Sequence, residues 1–228
     1  MKHTEEISMN MTTGRKYHLL TTLFLLAVPF ITFSQKTWEL VKTKDDIHIY
    51  KRSVEGSSLK ELKVVSTFQS SLSGFVAFIQ DVPAQTSYMY NCSLAKVLKE
   101  INEKELIFYQ QLKAPWPFSD RDGIYHQVIE QNAATKVVTI RSNAMSDYLP
   151  KTKDFIRVPK MKCSWIIKPN VSGGVDAEYY FYGEPGGTLP TWLINMFIAE
   201  APYKTQVKIH ELIKQKKYQE AKIDYIKN

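Results

Sequence analysis

Short segments of strand character, separated by brief turns, fill the middle of this sequence and restrict its fold more than any other feature. Apolar and β-branched residues recur in six segments, at 93–100, 106–113, 123–130, 136–143, 155–168 and 175–182. Turn-forming residues separate them, as at Asn102-Glu103-Lys104. Parallel neighbours would need long crossover connections, for which these turns leave no room. The middle of the chain is therefore predicted to be an antiparallel meander.

Two strands and two short helices are predicted before the meander. Alternating residues at 47–50 and 62–67 indicate strands joined by a turn near Gly56. The apolar spacing then changes to three and four residues, which predicts a helix over 71–81 that begins at a serine cap. A second short helix is predicted over 84–90.

A long helix is predicted at the end of the chain. It starts near Pro190, and its dense apolar face is formed by Leu189, Trp192, Leu193, Met196 and Phe197. Pro202 is expected to bend or interrupt it, because an interior proline lacks a backbone donor and clashes with the preceding turn. A second part would continue over 203–213.

These elements predict one α+β domain over 35–228. A curved antiparallel sheet of seven to eight strands, with two short helices inserted after the second strand, would wrap around the long C-terminal helix. A curved sheet and a helix that stand apart leave a gap between them. We expect that gap to be a ligand cavity.

The first 34 residues are predicted to be a secretory signal peptide. Arg15 and Lys16 precede an uncharged apolar run at 19–33, and small Ser34 follows it. The run is shorter than the roughly 20 residues of a membrane-spanning helix. We favour cleavage near Ser34, and the alternative is a retained anchor. The predicted location is therefore periplasmic or secreted.

The composition is that of an ordinary globular protein, with 44% hydrophobic and 12% aromatic residues. Its net charge of +7 would favour anionic surfaces. An exported protein does not meet nucleic acid, so we expect no nucleic-acid partner, and we expect a monomer. The lysines at 214, 216, 217 and 222 form either a solvated helix face or a patch for lipid headgroups. Cys92 and Cys163 are either paired in the oxidising compartment or buried as small hydrophobic residues.

Six sequence segments, in the same order, resemble the START (steroidogenic acute regulatory related lipid transfer) domains of the helix-grip superfamily, which includes polyketide cyclases. The most specific segment is APWPFSDRDGIY at 114–125. The others are Trp38, IHIYKR at 47–52, the helix ending in Asp81, IRVPKMKCSWIIKP at 156–169 and GEPGGTLPTWLINMF at 183–197.

The resemblance implies a hydrophobic tunnel under the C-terminal helix that holds one lipid or sterol-like molecule. Some family members place a buried acid and arginine pair in the tunnel. At the comparable positions this sequence offers Gln110 or Gln111, and Gln127. This departure weakens the transfer of any particular ligand, sterols included.

A catalytic, metal or cofactor site is not indicated by the sequence. No two of the five histidines have the spacing of metal ligands, and the GxSxG, GxGxxG, P-loop and HExxH motifs are missing. We therefore expect a protein that is not an enzyme and that uses no cofactor and no metal. The alternatives are a cyclase or aromatase that uses His126 or a tyrosine in the same pocket, and a helix-grip module that binds a protein.

The predicted ligand contacts are mainly aromatic. Arg121 is either a contact for a polar headgroup at the cavity mouth or part of an ion pair, and Asp122 must point to the opposite face of the strand. Leu193 and Phe197 are expected to anchor the helix to the sheet. The candidate lining residues are Phe108, Gln110, Trp116, Phe118, Arg121, Gln127, Trp165, Tyr180, Tyr182, Trp192 and Met196. The predicted function is the binding or transfer of one lipid or sterol-like molecule, with transient contact to a membrane surface.

Overall fold

The computed structural model describes residues 37–228, without the side chains of residues 191, 192 and 195–197. The predicted signal peptide at 1–34 therefore lies outside the described residues. In the described part, no helix has both the length and the apolar character needed to cross a membrane.

Ten strands form one sheet, and their antiparallel pairing confirms the predicted meander. The sheet order is β1-β2-β3-β10-β9-β7-β6-β5-β4, and β8 pairs in parallel with the start of β6. The strands are β1 Glu39–Lys44, β2 Ile47–Ser53, β3 Lys60–Phe68, β4 Cys92–Asn102, β5 Glu105–Leu112, β6 Arg121–Gln131, β7 Val138–Ala144, β8 Ile156–Arg157, β9 Lys160–Pro169 and β10 Val175–Glu184.

The helices lie between β3 and β4 and after β10. They are α1 Leu72–Gln80, a 3₁₀ turn at Val82–Ala84, α2 Gln85–Tyr88, α3 Thr191–Leu212 and α4 Lys216–Gln219. The hydroxyl of Ser71 accepts a hydrogen bond from the N–H of Gly74 at 3.0 Å, which confirms the predicted serine cap of α1.

Three details of the fold differ from the sequence-based expectation. The edge strand β1 was not predicted, because ELVKTK has little alternation and carries a register shift between Leu40 and Lys42. With β1 counted, the two short helices follow the third strand and not the second. Pro159 divides the predicted strand 155–168 into β8 and β9, since proline cannot donate to a strand ladder. Pro202 lies inside α3 without interrupting it.

The main hydrophobic core lies between α1, the second half of α3 and the sheet. Phe75 of α1 is fully buried and packs edge-on against Phe68 at 5.1 Å and Trp165 at 5.3 Å, measured between ring centroids. Ile209 and Ile213 bring α3 and its C-terminal end into the same cluster. This packing fixes one end of α3 against the sheet.

A buried ion pair holds the opposite end of the sheet together. Both side chains are almost completely buried, and the Arg157 guanidinium donates to the two carboxylate oxygens of Asp122 at 2.8 and 2.9 Å. Arg157 also donates to the backbone carbonyls of Ser146, Leu149 and Pro150. One guanidinium therefore fixes the 145–155 segment to the first residues of β6. Asp122 thus pairs with Arg157 and not with its neighbour Arg121.

We predict that Arg157→Gln lowers the free energy of unfolding by about 3–5 kcal/mol, because it leaves the Asp122 carboxylate buried without a counter-charge. The control is Arg141→Gln, which removes the exposed pair between Arg141 and Glu130 and should cost less than about 1 kcal/mol. Urea denaturation of the three proteins measures both values. Similar losses in the two variants would contradict this account. A double variant Arg157→Gln/Asp122→Asn that is no more stable than Arg157→Gln would contradict it as well.

Candidate functional site

Strand alternation gives the sheet one continuous inner face, on which α1, α2 and α3 pack. The register pairs Phe108 of β5 with Tyr125 of β6, and Gln110 with Gly123. The same face continues through Trp165 of β9, because adjacent strands keep the parity of their side chains. The inner face is therefore mostly apolar and aromatic, with a few polar side chains.

Two glycines allow aromatic rings to lie flat against this inner face. A Cβ atom at Gly123 would stand 1.9 Å from the hydroxyl oxygen of Tyr125, and one at Gly183 would stand 2.8 Å from the ring of Phe181. Such distances are far below van der Waals contact, so each ring occupies the space that a side chain two residues away would need. Each ring consequently lies over the glycine two residues before or after it in the same strand.

Three inner-face side chains near β10 are only half-buried, namely Cys163, Tyr179 and Phe181. Desolvation nevertheless raises the pKa of the Cys163 thiol, and it raises the pKa of Tyr179 well above its usual range. The two observations together place these groups deep in the protein with part of their surface not covered by protein atoms. An open groove of 1010 Å³ along the adjacent rim is lined mostly by polar and outer-face residues, Tyr180 and Tyr182 among them, and it also reaches Cys163, Phe181 and Ile194.

Several polar side chains are buried on or against the inner face. Gln110 donates a hydrogen bond to the side-chain oxygen of Gln85 at 2.7 Å. The Ser142 hydroxyl donates to the side-chain oxygen of Gln127 at 3.4 Å. Within residues 37–228, the Gln127 Nε2 atom and the Oε1 atom of Gln206 on α3 have no hydrogen-bond partner. Unpaired buried polar atoms are costly, so these two have capacity for hydrogen bonds with a bound molecule.

Arg121 is a buried cation at the end of the inner face where α3 begins. Its guanidinium donates to the backbone carbonyls of Ser119 at 2.5 Å and Gly186 at 3.4 Å, and its Nε atom has no hydrogen-bond partner in the part of the chain that the structure describes. Burial lowers the pKa of Arg121, the nearby Asp120 carboxylate acts in the opposite direction, and arginine stays charged in proteins. No carboxylate forms an ion pair with it among residues 37–228. The side chain is therefore able to bind an anionic group.

The structure places five of the predicted lining residues on the inner face. They are Phe108, Gln110, Arg121, Gln127 and Trp165. Phe108 and Trp165 are also well packed, since Phe108 contacts Tyr125 at 5.2 Å and Trp165 contacts Tyr179 at 4.7 Å between ring centroids. Their contact with a ligand stays a prediction.

Trp116 does not lie on the inner face, and the structure leaves the prediction for Phe118 untested. Both belong to the loop between β5 and β6, where Trp116 is 92% exposed and Phe118 is half-buried. The expectation that Trp116 lines the interior is therefore wrong. The reason is local: prolines on both sides of Trp116 take the segment out of the ladder, so strand parity no longer decides where its side chain points.

Tyr180 and Tyr182 point to the outer face of β10, so their predicted inward orientation is wrong. The Tyr180 ring packs against Trp38 at 5.8 Å between centroids, and the Tyr182 hydroxyl bonds Ser57 and Glu184. Tyr179 and Phe181 take the inward positions that the sequence analysis missed. The sequence does contain a signal for this orientation. Asp176 and Glu178 are polar, so the even positions of β10 face outward and the odd positions face inward.

The remaining predicted contacts have different outcomes. Leu193 is fully buried, as expected of an anchoring residue. The side chains of Trp192, Met196 and Phe197 lie outside the described residues. His126, the candidate acid or base of the enzyme alternative, lies on the outer face, where its Nε2 atom is 2.6 Å from a Glu105 carboxylate oxygen.

Cys92 and Cys163 are both free thiols, so the predicted alternative of a disulfide is wrong. Within residues 37–228, no group of three or more His, Cys, Asp or Glu side chains has a geometry that could hold a metal ion.

Comparison with known proteins gives a consistent set of relatives. The model of the START domain family matches residues 28–215. An uncharacterized protein of Pseudomonas aeruginosa is 32% identical over 168 residues, which cover 74% of this chain and 82% of that protein. The phosphatidylcholine transfer protein of Rattus norvegicus is 27% identical over 165 residues, which cover 69% of this chain and 75% of that protein.

Solved structures agree with the observed fold. A fragment of a STAR-related lipid transfer protein from Xanthomonas axonopodis has a TM-score of 0.72 and 34% sequence identity, and the match covers 78% of this chain and 99% of the fragment. Human STARD10 has a TM-score of 0.67 at 18% identity over 77% of this chain and 72% of its own, which bears on the fold alone. The predicted helix-grip fold is confirmed.

We predict two reactive thiols per chain after unfolding without reductant, and slow reaction of both in the native protein. Desolvation raises the pKa of Cys92 to about 11, so at pH 8 its reactive thiolate is a minute fraction, and burial raises the pKa of Cys163 as well. Titration with a charged aromatic disulfide reagent, with and without urea, measures both states. Fewer than two thiols in the unfolded, unreduced protein would indicate a disulfide and contradict the structure.

Proposed function

Because this chain belongs to the START domain family, we propose that it binds one lipid molecule between the inner face of its sheet and α3, and carries that molecule without chemical change. The observation that carries the proposal is the inner face itself. Tyr179 and Phe181 present half-buried aromatic surface on this face, and the same face carries Gln127, whose Nε2 atom has no hydrogen-bond partner among the described residues. A lipid with apolar chains and a polar headgroup has complementary chemistry.

Apolar burial supplies the binding free energy in this proposal. Each methylene group removed from water contributes about 0.8 kcal/mol, so ten of them contribute several kcal/mol after the cost of ordering the chain. The flat rings of Tyr125 and Phe181 give the apolar chains a smooth surface. No nucleophile or base is required, and the outward orientation of His126 removes the histidine on which the enzyme alternative relied.

Arg121 is proposed to bind the anionic part of the headgroup. Its guanidinium forms no ion pair among the described residues, although the nearby Asp120 carboxylate acts on its charge, and its buried Nε atom has no hydrogen-bond partner there. A phosphate oxygen would supply the missing partner. The rat phosphatidylcholine transfer protein, by its name, acts on a lipid with such a phosphate, which supports a phospholipid over a sterol.

Export and location stay predictions. The signal peptide at 1–34, its cleavage near Ser34, the periplasmic or secreted location and the monomeric state are proposed from the sequence alone.

The direct test is to identify what the purified protein contains. Native mass spectrometry should show about one lipid per chain, and solvent extraction should identify it as a phospholipid. Transfer of fluorescent phosphatidylcholine between vesicles should be faster with the protein than without it. A chain that carries no lipid and accelerates no transfer would overturn the proposal, and a bound sterol would overturn only the role of Arg121.

Neighbouring residues on β10 provide a matched pair of variants. Phe181→Asp should weaken lipid uptake about 100-fold or more, because a carboxylate against the apolar chain costs several kcal/mol. Tyr182→Asp places the same charge on the outer face and should leave uptake near the wild-type value. A fluorescent-lipid binding assay measures both, and circular dichroism confirms folding.

If Phe181→Asp does not fold, Phe181→Ser and Tyr182→Ser make the same comparison with a smaller perturbation. Equal effects of the inner and outer substitutions would remove the inner face from the site.

A further inference from the structure

The inner face of the sheet changes along its strands from partly uncovered to fully covered. Its side chains form cross-strand rows, because the register pairs the inward residues of β6, β7, β9 and β10 with one another. One row, which we call the open row, consists of Gln127, Ser142, Cys163 and Phe181. The last two of these side chains are half-buried. Part of the open row is therefore not covered by protein atoms.

Two rows further from Arg121, the inner face is completely covered. This row, which we call the closed row, consists of Val138, Ile167, Ala177 and Ser66. None of its four side chains is more than 3% exposed. Phe75 of α1 and Ile209 of α3 belong to the same hydrophobic cluster as three of them. The protein's own side chains therefore fill the space above the closed row.

A pair of aromatic rings lies between the open row and the closed row. The ring centroids of Trp165 on β9 and Tyr179 on β10 are 4.7 Å apart. Trp165 is 8% exposed and Tyr179 is half-buried, so this pair borders the uncovered space. Phe75 packs edge-on against Trp165 at 5.3 Å and against Phe68 at 5.1 Å, and it covers the sheet from Trp165 onward. Trp165 thus marks the boundary between uncovered space and packed core.

The helix that carries Phe75 is fixed from both sides. A Cβ atom at Gly74 would stand 2.6 Å from the backbone carbonyl oxygen of Tyr218, so the C-terminal segment lies directly on α1. The Asp81 carboxylate at the end of α1 accepts hydrogen bonds from Lys217 at 2.7 Å and from the Tyr218 hydroxyl at 2.8 Å. Because α1 is held between this segment and the core, Phe75 gives Trp165 a rigid support.

The distance from Arg121 to this boundary is comparable to the length of a phospholipid. Ile129, in the same row as Trp165, follows Arg121 by eight residues on β6, which corresponds to about 27 Å along the strand. The Arg121 side chain takes up part of this length. A phospholipid spans half of a bilayer of about 40–45 Å, hence about 20–23 Å. A phosphate bound at Arg121 would therefore place the ends of the acyl chains near Trp165.

We propose that Trp165, supported by Phe75, is the stop against which the ends of the acyl chains rest, and that it sets the longest chains that this protein accepts. The proposal rests on the proposed lipid-binding function and narrows its ligand class. The ligands are phospholipids whose chains fit between Arg121 and Trp165. Longer chains would have to displace the packed core.

Phosphatidylcholines that differ in chain length alone test the stop. The protein is incubated with fluid vesicles of dimyristoleoyl, dipalmitoleoyl, dioleoyl, dieicosenoyl and dierucoyl phosphatidylcholine in equal amounts, and native mass spectrometry identifies the bound species. For wild type, the bound fraction should rise with chain length and then fall sharply. Trp165→Leu should raise the ratio of the first excluded lipid to the longest accepted lipid about tenfold, which corresponds to burial of about two further methylene groups.

Cys163→Phe should move the limit in the opposite direction. Cys163 lies one row closer to Arg121 and is half-buried, so a ring at this position would occupy the uncovered space in front of Trp165. The ratio of the longest accepted lipid to the next shorter one should fall about tenfold. The matched control is Ser164→Phe, which places the same ring on the outer face and should leave the bound lipids unchanged.

Phe68→Leu is the control for Trp165→Leu. It removes a ring from the same cluster but beyond the stop, so it should lower stability without changing which lipids bind. An unchanged lipid distribution in a folded Trp165→Leu protein would overturn the proposal, as would an equal shift in Phe68→Leu. If Trp165→Leu does not fold, Cys163→Phe decides, and an unchanged distribution in that variant overturns the proposal.

The wild-type protein separates this proposal from the proposed function. Wild type that binds all five phosphatidylcholines in proportion to their abundance would refute the stop and leave the carrier function in place. Wild type that binds none of them would refute the stop. It would refute the carrier function as well if extraction finds no lipid in the purified protein.

Discussion

The pleat of β6 separates two neighbouring charges, and much of the molecule depends on that separation. Asp122 points outward, where Arg157 neutralises it and binds the 145–155 segment through three carbonyls. Arg121 points inward, where the hydrogen-bond acceptors that the described residues offer it are backbone carbonyls. The ion pair of Asp122 and Arg157 thus stabilises the outer side of the fold. Arg121 is a buried positive charge, to which we propose that the headgroup binds.

The same ion pair links the interior to the surface. Arg157 holds the loop of Tyr148 and Leu149 beside the loop of Trp116, and Arg121 reaches from that loop to the segment before α3. The proposed headgroup contact therefore shares its support with these two loops.

Much of the fold could be predicted because strand alternation, short turns and a serine-capped helix are local signals. The site could be predicted only in part. Four consecutive aromatic residues at 179–182 concealed which members face inward, and only the polar residues before them reveal the parity. The pairing of Asp122 with Arg157, 35 residues away, leaves no local trace. Trp116 was expected in the interior because it is a large aromatic residue, but the prolines on both sides of it take this segment out of the strand.

Gly123 and Gly183 are not proposed to contact the ligand, yet they influence the volume that is available to it. Each accommodates a ring that would otherwise be pushed away from the backbone toward α3. A single methyl group at either position would therefore subtract the volume of a tilted ring from the interior. Substitutions at these two glycines would therefore change which chain lengths and branching patterns of a lipid fit, although neither residue contacts the lipid.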